Sequence, residues 1–147
     1  MTSVIANPPP DALFELVTDQ WTEPFWAAAR ARRLVVARCS GCGLHRMPPT
    51  PFCPGCHSTV LDWTEVTGKG SIYAFTVVRR ANLPEVQAAL PYAPCVVELD
   101  GIAGIRLISN IVGAEVDTIR IGAAVEVVWH ERTDGVTLPY FRILADG

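Results

Sequence analysis

The sequence predicts a mostly β protein made of an N-terminal helix, a metal-binding ribbon and a five-stranded barrel of the OB type. Three observations predict this fold. Two Cys-x-x-Cys pairs lie ten residues apart, a short helical segment precedes them, and five strand-like runs separated by glycine-marked turns follow them. We expect a flexible proline-containing tail at 1–20, the helix at 21–33, the ribbon at 34–66 and the OB-fold at 67–147.

Composition excludes several classes of protein. The chain has 147 residues, is 50% hydrophobic and carries a net charge of −3, whereas a general nucleic-acid binder presents a basic face. No apolar run is long enough to predict a transmembrane helix. The first residues lack the basic and apolar stretches of a secretory signal, so we expect a cytoplasmic protein whose cysteines stay reduced.

The helix is predicted from its N-terminal signals. Thr22 is a suitable N-cap, Pro24 suits the first turn, and the pattern continues to about Arg32. Phe25 and Trp26 place two aromatic rings on this short helix. Two interpretations remain open: the helix packs on its own domain, or these aromatic residues form a docking arm for another protein.

The two cysteine pairs predict one tetrahedral metal site. Strands at Leu34–Arg38 and Val60–Val66 flank the pairs, and Gly43 and Gly55 offer the backbone freedom that tight knuckles need. Four protein thiolates fill the coordination sphere, so the metal has a structural role. Zinc is the preferred ion, and iron in the same site is the less favoured alternative. The predicted ligands are Cys39, Cys42, Cys53 and Cys56.

The remainder of the chain alternates in the manner of a small antiparallel barrel. A short helix is expected at Glu85–Leu90, after Pro84. The five expected strands are Ser71–Arg79, Cys95–Leu99, Ile105–Val112, Ala123–His130 and Tyr140–Leu144.

No set of residues in the sequence predicts catalysis. Cys53-Pro54-Gly55-Cys56-His57 matches the motif for covalent haem attachment, but that chemistry requires export and would leave the first cysteine pair unused. Cys95 lies in an apolar run and is expected to be a buried small side chain. We therefore predict no catalytic residue in this chain.

Two groups of residues suggest ligands beyond the metal. Tyr73 and Phe75 alternate on the first barrel strand, where they would either stack on bases or fill the core. Arg79 and Arg80, together with Arg106, would either bind the phosphates of coenzyme A or lie in solvent at a strand end.

The order of these elements resembles an acyl-CoA-associated family with an N-terminal helix, a rubredoxin-like zinc ribbon and a C-terminal OB-fold, long described as a domain of unknown function. The resemblance runs from Trp21 to Ile143. A longer turn at 100–104 departs from the family pattern. The motifs that carry the resemblance are Pro24-Phe25-Trp26, the two cysteine pairs, Pro48-Pro49, Trp63, 68–78, Pro91-Tyr92-Ala93, Val96–Leu99 and 121–127.

The resemblance implies an accessory subunit that assists acyl-CoA chemistry. Members of this family pair with thiolase-like proteins, of the lipid-transfer-protein type in one case, and the partner holds the catalytic residues. We therefore expect a hetero-oligomer whose subunits could share an acyl-CoA substrate. The preferred case is a retro-aldol lyase, or aldolase, acting on a steroid side-chain CoA thioester.

Two alternatives from other classes accompany this expectation. A zinc-ribbon and OB-fold module could bind single-stranded nucleic acid, although the net charge disfavours it. A four-thiolate site that holds iron could transfer electrons.

Overall fold

The computed structural model describes residues 4–145, so residues 1–3 of the expected tail and 146–147 of the expected OB-fold segment lie outside the described part. Within it, one α-helix is followed by a three-stranded sheet and a closed five-stranded barrel, which confirms the predicted fold class. The elements are α1 (Glu23–Arg30), β1 (Leu34–Cys39), β2 (His45–Arg46), β3 (Leu61–Val66), β4 (Lys69–Phe75), β5 (Ala93–Leu99), β6 (Arg106–Ile111), β7 (Ala124–Glu131) and β8 (Thr137–Ile143).

Helix α1 ends slightly earlier than the sequence predicts. The backbone N–H of Arg33 donates to the carbonyl of Ala28 at 2.9 Å, and that of Arg32 donates to Ala29 at 2.8 Å. Arg32 has a φ of 59°, the left-handed conformation that closes such a helix end and that glycine usually supplies. The buried side chains of Phe25, Ala28 and Ala29 face the protein interior.

The ribbon is a three-stranded antiparallel sheet in the order β2-β1-β3. Central strand β1 pairs with β3 from Leu34↔Val66 to Cys39↔Leu61. The short strand β2, which the sequence does not predict, pairs with the other edge of β1. Residues 34–36 are buried and join the core that the barrel and α1 share, so the base of the ribbon is fixed by ordinary apolar packing.

The barrel closes in the order β4-β5-β6-β8-β7. Its strands alternate inward apolar residues with outward ones, as in β5, where every second residue from Ala93 to Leu99 is buried. The side chains with the lowest exposure form one core, and they include Ile72, Val97, Ile111, Val125 and Phe141.

Strand β4 and the connection that follows it differ from the prediction. The expected strand Ser71–Arg79 ends at Phe75, and beyond it Val78 makes an isolated bridge with Tyr92. The expected helix at Glu85–Leu90 is a 3-10 helix, Pro84–Ala89. Its six residues are too few for a stable α-helical segment.

Strand β8 begins at Thr137, before the predicted start at Tyr140, and contains Pro139. Proline cannot donate a main-chain hydrogen bond, so its position within a sheet is restricted. The neighbouring backbone shows the direction: the carbonyl of Phe141 accepts from the N–H of Val112 on the β6 side. Pro139 lies two residues earlier and has the same orientation, so its missing N–H faces β6 and costs no bond to β7.

The residues before α1 cross the outside of the barrel. We call Val4–Phe14 the N-terminal strap. Ala6 is 1% exposed and exchanges hydrogen bonds with Ala114 and Gly113 at 2.8 and 3.0 Å. Further along, Asp11 accepts hydrogen bonds from His130 Nε2 at 2.7 Å and from the backbone N–H of Thr133. The strap is thus bound to the barrel at Ala6 and again at Asp11. Within residues 4–145, no helix has the length and apolar character needed to cross a membrane.

Candidate metal centre and apolar groove

The two cysteine knuckles bring four sulfur atoms to one point at the tip of the ribbon. Sγ of Cys39 lies 3.5 Å from Sγ of Cys56, and Sγ of Cys42 lies 3.6 Å from Sγ of Cys53. All four atoms lie within 4.8 Å of one another. A tetrahedral Zn²⁺ with Zn–S bonds of about 2.3 Å would separate its sulfur ligands by about 3.8 Å. The thiol arrangement therefore fits a single zinc ion.

The knuckles share one backbone geometry. Gly43 donates its N–H to the carbonyl of Cys39 at 2.8 Å, and His57 donates to the carbonyl of Cys53 at 2.9 Å. Both donors have a positive φ, 82° and 67° respectively. The sequence predicts this backbone freedom at Gly55 in the second knuckle, but His57 adopts the left-handed conformation instead. An equal offset from the first cysteine of each pair could have predicted this role.

Main-chain groups of the knuckles favour the thiolate form that metal binding requires. Hydrogen bonding from the backbone of Cys42 is the largest effect that lowers the pKa of the Cys39 thiol, to about 6. The backbone of Cys56 similarly lowers the pKa of Cys53. Both side chains have no solvent-exposed surface, so the main-chain groups of the knuckles are in direct contact with the sulfur atoms.

A second feature is an apolar groove of about 600 Å³ at the junction of all three parts of the molecule. Phe25 and Trp26 of α1 form one wall, and residues 47–49 of the ribbon loop form another. The barrel contributes residues 106–110 and 138–140, and the strap contributes Pro9, Leu13 and Phe14. The sequence does not predict this groove, because its walls come from segments far apart in the chain.

The predicted aromatic pair lies at this groove. The rings of Phe25 and Trp26 meet edge to face, with centroids 4.9 Å apart. Phe25 is 6% exposed and belongs to the core, whereas Trp26 is only partly buried and packs at the edge of that core. Phe25 therefore packs on its own domain, whereas part of the Trp26 ring stays exposed at the groove.

The structure does not bring the three arginines of the expected phosphate site together, and only Arg106 of the three lines the groove. Arg79 is exposed and lies 3.8 Å from Asp117, while Arg80 is exposed on the following turn. Arg106 borders the groove, and its guanidinium lies 3.8 Å from the centroid of the Tyr73 ring. One face of that ring is therefore covered by a cation instead of being open to a base.

The remaining reactive side chains have structural partners. Cys95 is buried, and desolvation raises the pKa of its thiol to about 12, which leaves it protonated and unreactive. His130 contacts Asp11 and stacks at 5.3 Å on Tyr140. His45 Nε2 lies 3.0 Å from Thr64 Oγ1 across the ribbon.

Two family models match consecutive parts of the chain. Residues 26–62 match the model described as ChsH2, rubredoxin-like zinc ribbon domain. Residues 63–130 match ChsH2, C-terminal OB-fold domain. Together with the sulfur geometry, the first match identifies the four cysteines as the site of one structural zinc ion.

Curated relatives have related descriptions. A "probable enoyl-CoA hydratase alpha subunit" of Thermomonospora curvata is 41% identical over 80% of this chain. A "3-oxo-4,17-pregnadiene-20-carboxyl-CoA hydratase alpha subunit" of Mycobacterium tuberculosis is 26% identical over 85% of it. The matches span only 36% and 39% of those two subunits. A "DUF35 domain-containing scaffold protein" of Methanothermobacter thermautotrophicus is 34% identical, and the match covers 70% of this chain and 79% of that protein.

The fold also matches a solved structure described as "Ltp2-ChsH2(DUF35) aldolase". The TM-score is 0.79 and the sequence identity is 36%, and the match covers 88% of this chain and 98% of the other. The family models, the scaffold protein and this structure agree with one another. The chain therefore belongs to the ChsH2-type DUF35 family, in which a rubredoxin-like zinc ribbon is followed by a C-terminal OB-fold domain.

Proposed function

We propose that this chain is the non-catalytic accessory subunit of a thiolase-like acyl-CoA enzyme complex. The observation that carries the proposal is the match to a chain of the Ltp2-ChsH2(DUF35) aldolase over 98% of its length at 36% identity. The preferred reaction of the complex is retro-aldol cleavage of a steroid side-chain CoA thioester. The pregnadiene-carboxyl-CoA in the description of the mycobacterial relative supports this substrate class.

The chemistry of the described residues agrees with a supporting role. A zinc ion held by four thiolates has no open position for water or substrate. The buried thiol of Cys95 is held protonated, and His130 is engaged by Asp11 on the strap. We therefore assign the catalytic residues of the complex to the partner.

We propose the apolar groove as the surface that meets this partner. Trp26 is the expected anchor residue, because it lines the groove with part of its ring still exposed, and tryptophan is among the residue types that most often dominate binding energy at protein interfaces. Phe25 supports it from below through the edge-to-face contact. The zinc site fixes the ribbon loop, which supplies the facing wall at 47–49.

A role in holding coenzyme A is proposed for Arg79 and Arg80. Both side chains are exposed, and Arg79 also lines a smaller cavity of about 340 Å³ with Gln87 and Leu90. Guanidinium groups at such a rim suit the phosphates of the cofactor. We further propose a cytoplasmic location, where reduced thiols are available for zinc.

The test is co-expression of this chain with a thiolase-like protein encoded in the same genome, followed by size-exclusion chromatography with light scattering. We expect a hetero-oligomer that contains one zinc per copy of this chain. Trp26→Ala should weaken assembly at least tenfold, an effect of about 1.4 kcal/mol or more. Ile121→Ala is the matched control, because Ile121 is apolar and 70% exposed and does not line the groove.

Other outcomes would overturn parts of the proposal. A monomer that neither binds a thiolase-like protein nor alters its activity would contradict the accessory role. Assembly with a hydratase subunit in place of a thiolase-like protein would contradict the aldolase assignment, since two of the relatives carry hydratase descriptions.

A further inference from the structure

Strands β6 and β8 close the barrel at one point only within the described residues. They run parallel and are paired at Ile111↔Phe141, with the N–H of Val112 bonded to the carbonyl of Phe141. Ahead of this point the two strands are not paired. The hydroxyl of Ser109 instead donates to the carbonyl of Pro139 at 2.5 Å, so a side chain bridges the strands where a main-chain bond would otherwise lie.

The pairing of β6 with β5 fixes which main-chain groups face this split. The N–H of Leu99 donates to the carbonyl of Ile105, so Leu107 and Ser109 also direct their main-chain groups at β5. Arg106 and Ile108 therefore direct their N–H and C=O groups the opposite way. Among the described residues, no strand pairs with β6 on that side at these two positions.

This unpaired edge lies along the apolar groove. Residues 106–110 form one side of the groove, and Ile108 is 81% exposed there. The side-chain oxygen of Asn110 is buried and has no hydrogen-bond partner in the described part of the chain. An apolar groove whose edge offers main-chain N–H and C=O groups at the spacing of a β-strand is complementary to an extended peptide.

We propose that an extended apolar segment of the catalytic partner adds as a strand to the edge of β6, pairing with Arg106 and Ile108. This inference rests on the proposed function and specifies how the partner is bound. A partner segment satisfies both N–H groups and both carbonyls at once, which a helix, with its main chain already bonded, does not. Arg106 is the only arginine, lysine, aspartate or glutamate among the described residues that line the groove, so the segment should be uncharged along most of its length.

Amide hydrogen exchange measured by NMR tests the pairing directly. In the free chain, Leu107 and Ser109 should exchange slowly and Arg106 and Ile108 quickly, because only the first two donate to β5. Binding of the thiolase-like subunit should slow exchange at Arg106 and Ile108 at least tenfold. Unchanged exchange at both amides in a fully assembled complex would overturn strand addition while leaving the accessory role intact.

A pair of variants separates the main-chain bond from side-chain packing. Ile108→Pro removes the N–H that faces the groove but none that faces β5, and edge strands accept proline in this orientation. Ile108→Ala removes the side chain and keeps the N–H. We expect Ile108→Pro to weaken binding of the partner about tenfold more than Ile108→Ala does.

Equal affinities of the two variants would contradict the proposal, as would a partner that binds elsewhere. Occupation of the groove by a small apolar ligand, or by a second copy of this chain, would also contradict it. Both outcomes are visible by mass spectrometry and sizing of the free chain. If Ile108→Pro fails to fold, the exchange experiment on the unaltered chain still decides.

Discussion

The tip of the ribbon and the barrel are stabilised by different interactions. The barrel buries Ile72, Val97, Ile111, Val125 and Phe141 almost completely. Between residues 40 and 60, by contrast, only Arg46 and Cys53 are buried. The barrel is therefore held by the apolar core, to which α1 and the base of the ribbon also contribute, whereas the tip depends on its metal. One chain therefore contains a part that folds by burial of apolar side chains and a part that folds by metal coordination.

The largest effect is expected from Cys53→Ser. Cys53 is fully buried, and its loss leaves three ligands for the zinc ion. Structural zinc sites contribute about 10–16 kcal/mol of binding energy in small fingers, so the tip should unfold while the barrel stays folded. Metal analysis and NMR together check this. Loss of barrel signals along with the zinc would show that the two parts are not independent.

The reciprocal change is Phe141→Ala in the barrel. Phe141 is 0% exposed in the core, and its truncation should cost about 3–5 kcal/mol of unfolding free energy. Chemical denaturation measures this loss. Ile121→Ala, at an exposed position, should change the same quantity by less than about 0.5 kcal/mol. The folded Phe141→Ala protein should still bind one zinc. Failure to bind zinc would show that the tip depends on the packing of the barrel.

A smaller effect is expected where the N-terminal strap joins the barrel. Asp11→Ala removes the hydrogen bonds to His130 and to the N–H of Thr133, and should cost about 1 kcal/mol. The bond from His130 is the main cause that lowers the pKa of Asp11 below its ordinary 3.8. A lowered pKa stabilises the folded chain above that ordinary value, and the contribution is lost as pH falls through the folded pKa.

The pH dependence of this variant supplies its own control. The difference in unfolding free energy between the unaltered chain and Asp11→Ala should be largest near neutral pH and should shrink below about pH 4. Metal content should be unchanged at neutral pH. A difference that stays constant into acid would mean that the carboxylate charge contributes nothing.

The smallest effect is expected from Arg38→Gln on the ribbon surface. Arg38 contacts Asp62 at 2.9 Å, but the two side chains are 41% and 49% exposed. Pairs of this kind contribute roughly 0–1 kcal/mol, so zinc affinity and unfolding should barely change. A double-mutant cycle with Asp62→Asn isolates the pair. A coupling energy well above 1 kcal/mol would show that this ion pair stabilises the tip in addition to the metal.

Parts of the fold that are specified by local sequence patterns could be predicted, whereas parts that depend on contacts between distant segments could not. The cysteine ligands and the barrel strands were predicted because spacing and alternation are local features of the chain. Strand β2 was missed, since two residues carry no period. The left-handed role of His57 was missed because glycine was expected there.

The groove could not be predicted from the sequence, for a different reason. It forms where Trp26, residues 47–49 and the gap between β6 and β8 meet. Among the described residues, these two parallel strands are paired only at Ile111 and Phe141, and the gap lies ahead of that pair. No local sequence pattern predicts such a long-range contact. Phe25 and Trp26 were recognised as aromatic, but only tertiary structure separates the core residue from the surface one.

The proposed accessory role is tested most directly by the rate of retro-aldol cleavage. A thiolase-like subunit from the same genome would be assayed with a steroid side-chain CoA thioester, alone and with added stoichiometric amounts of this chain. We predict little cleavage by either protein alone and a saturable increase on mixing, which Trp26→Ala shifts to higher concentration. Cleavage by the partner that is unchanged by this chain, or cleavage by this chain alone, would contradict the account.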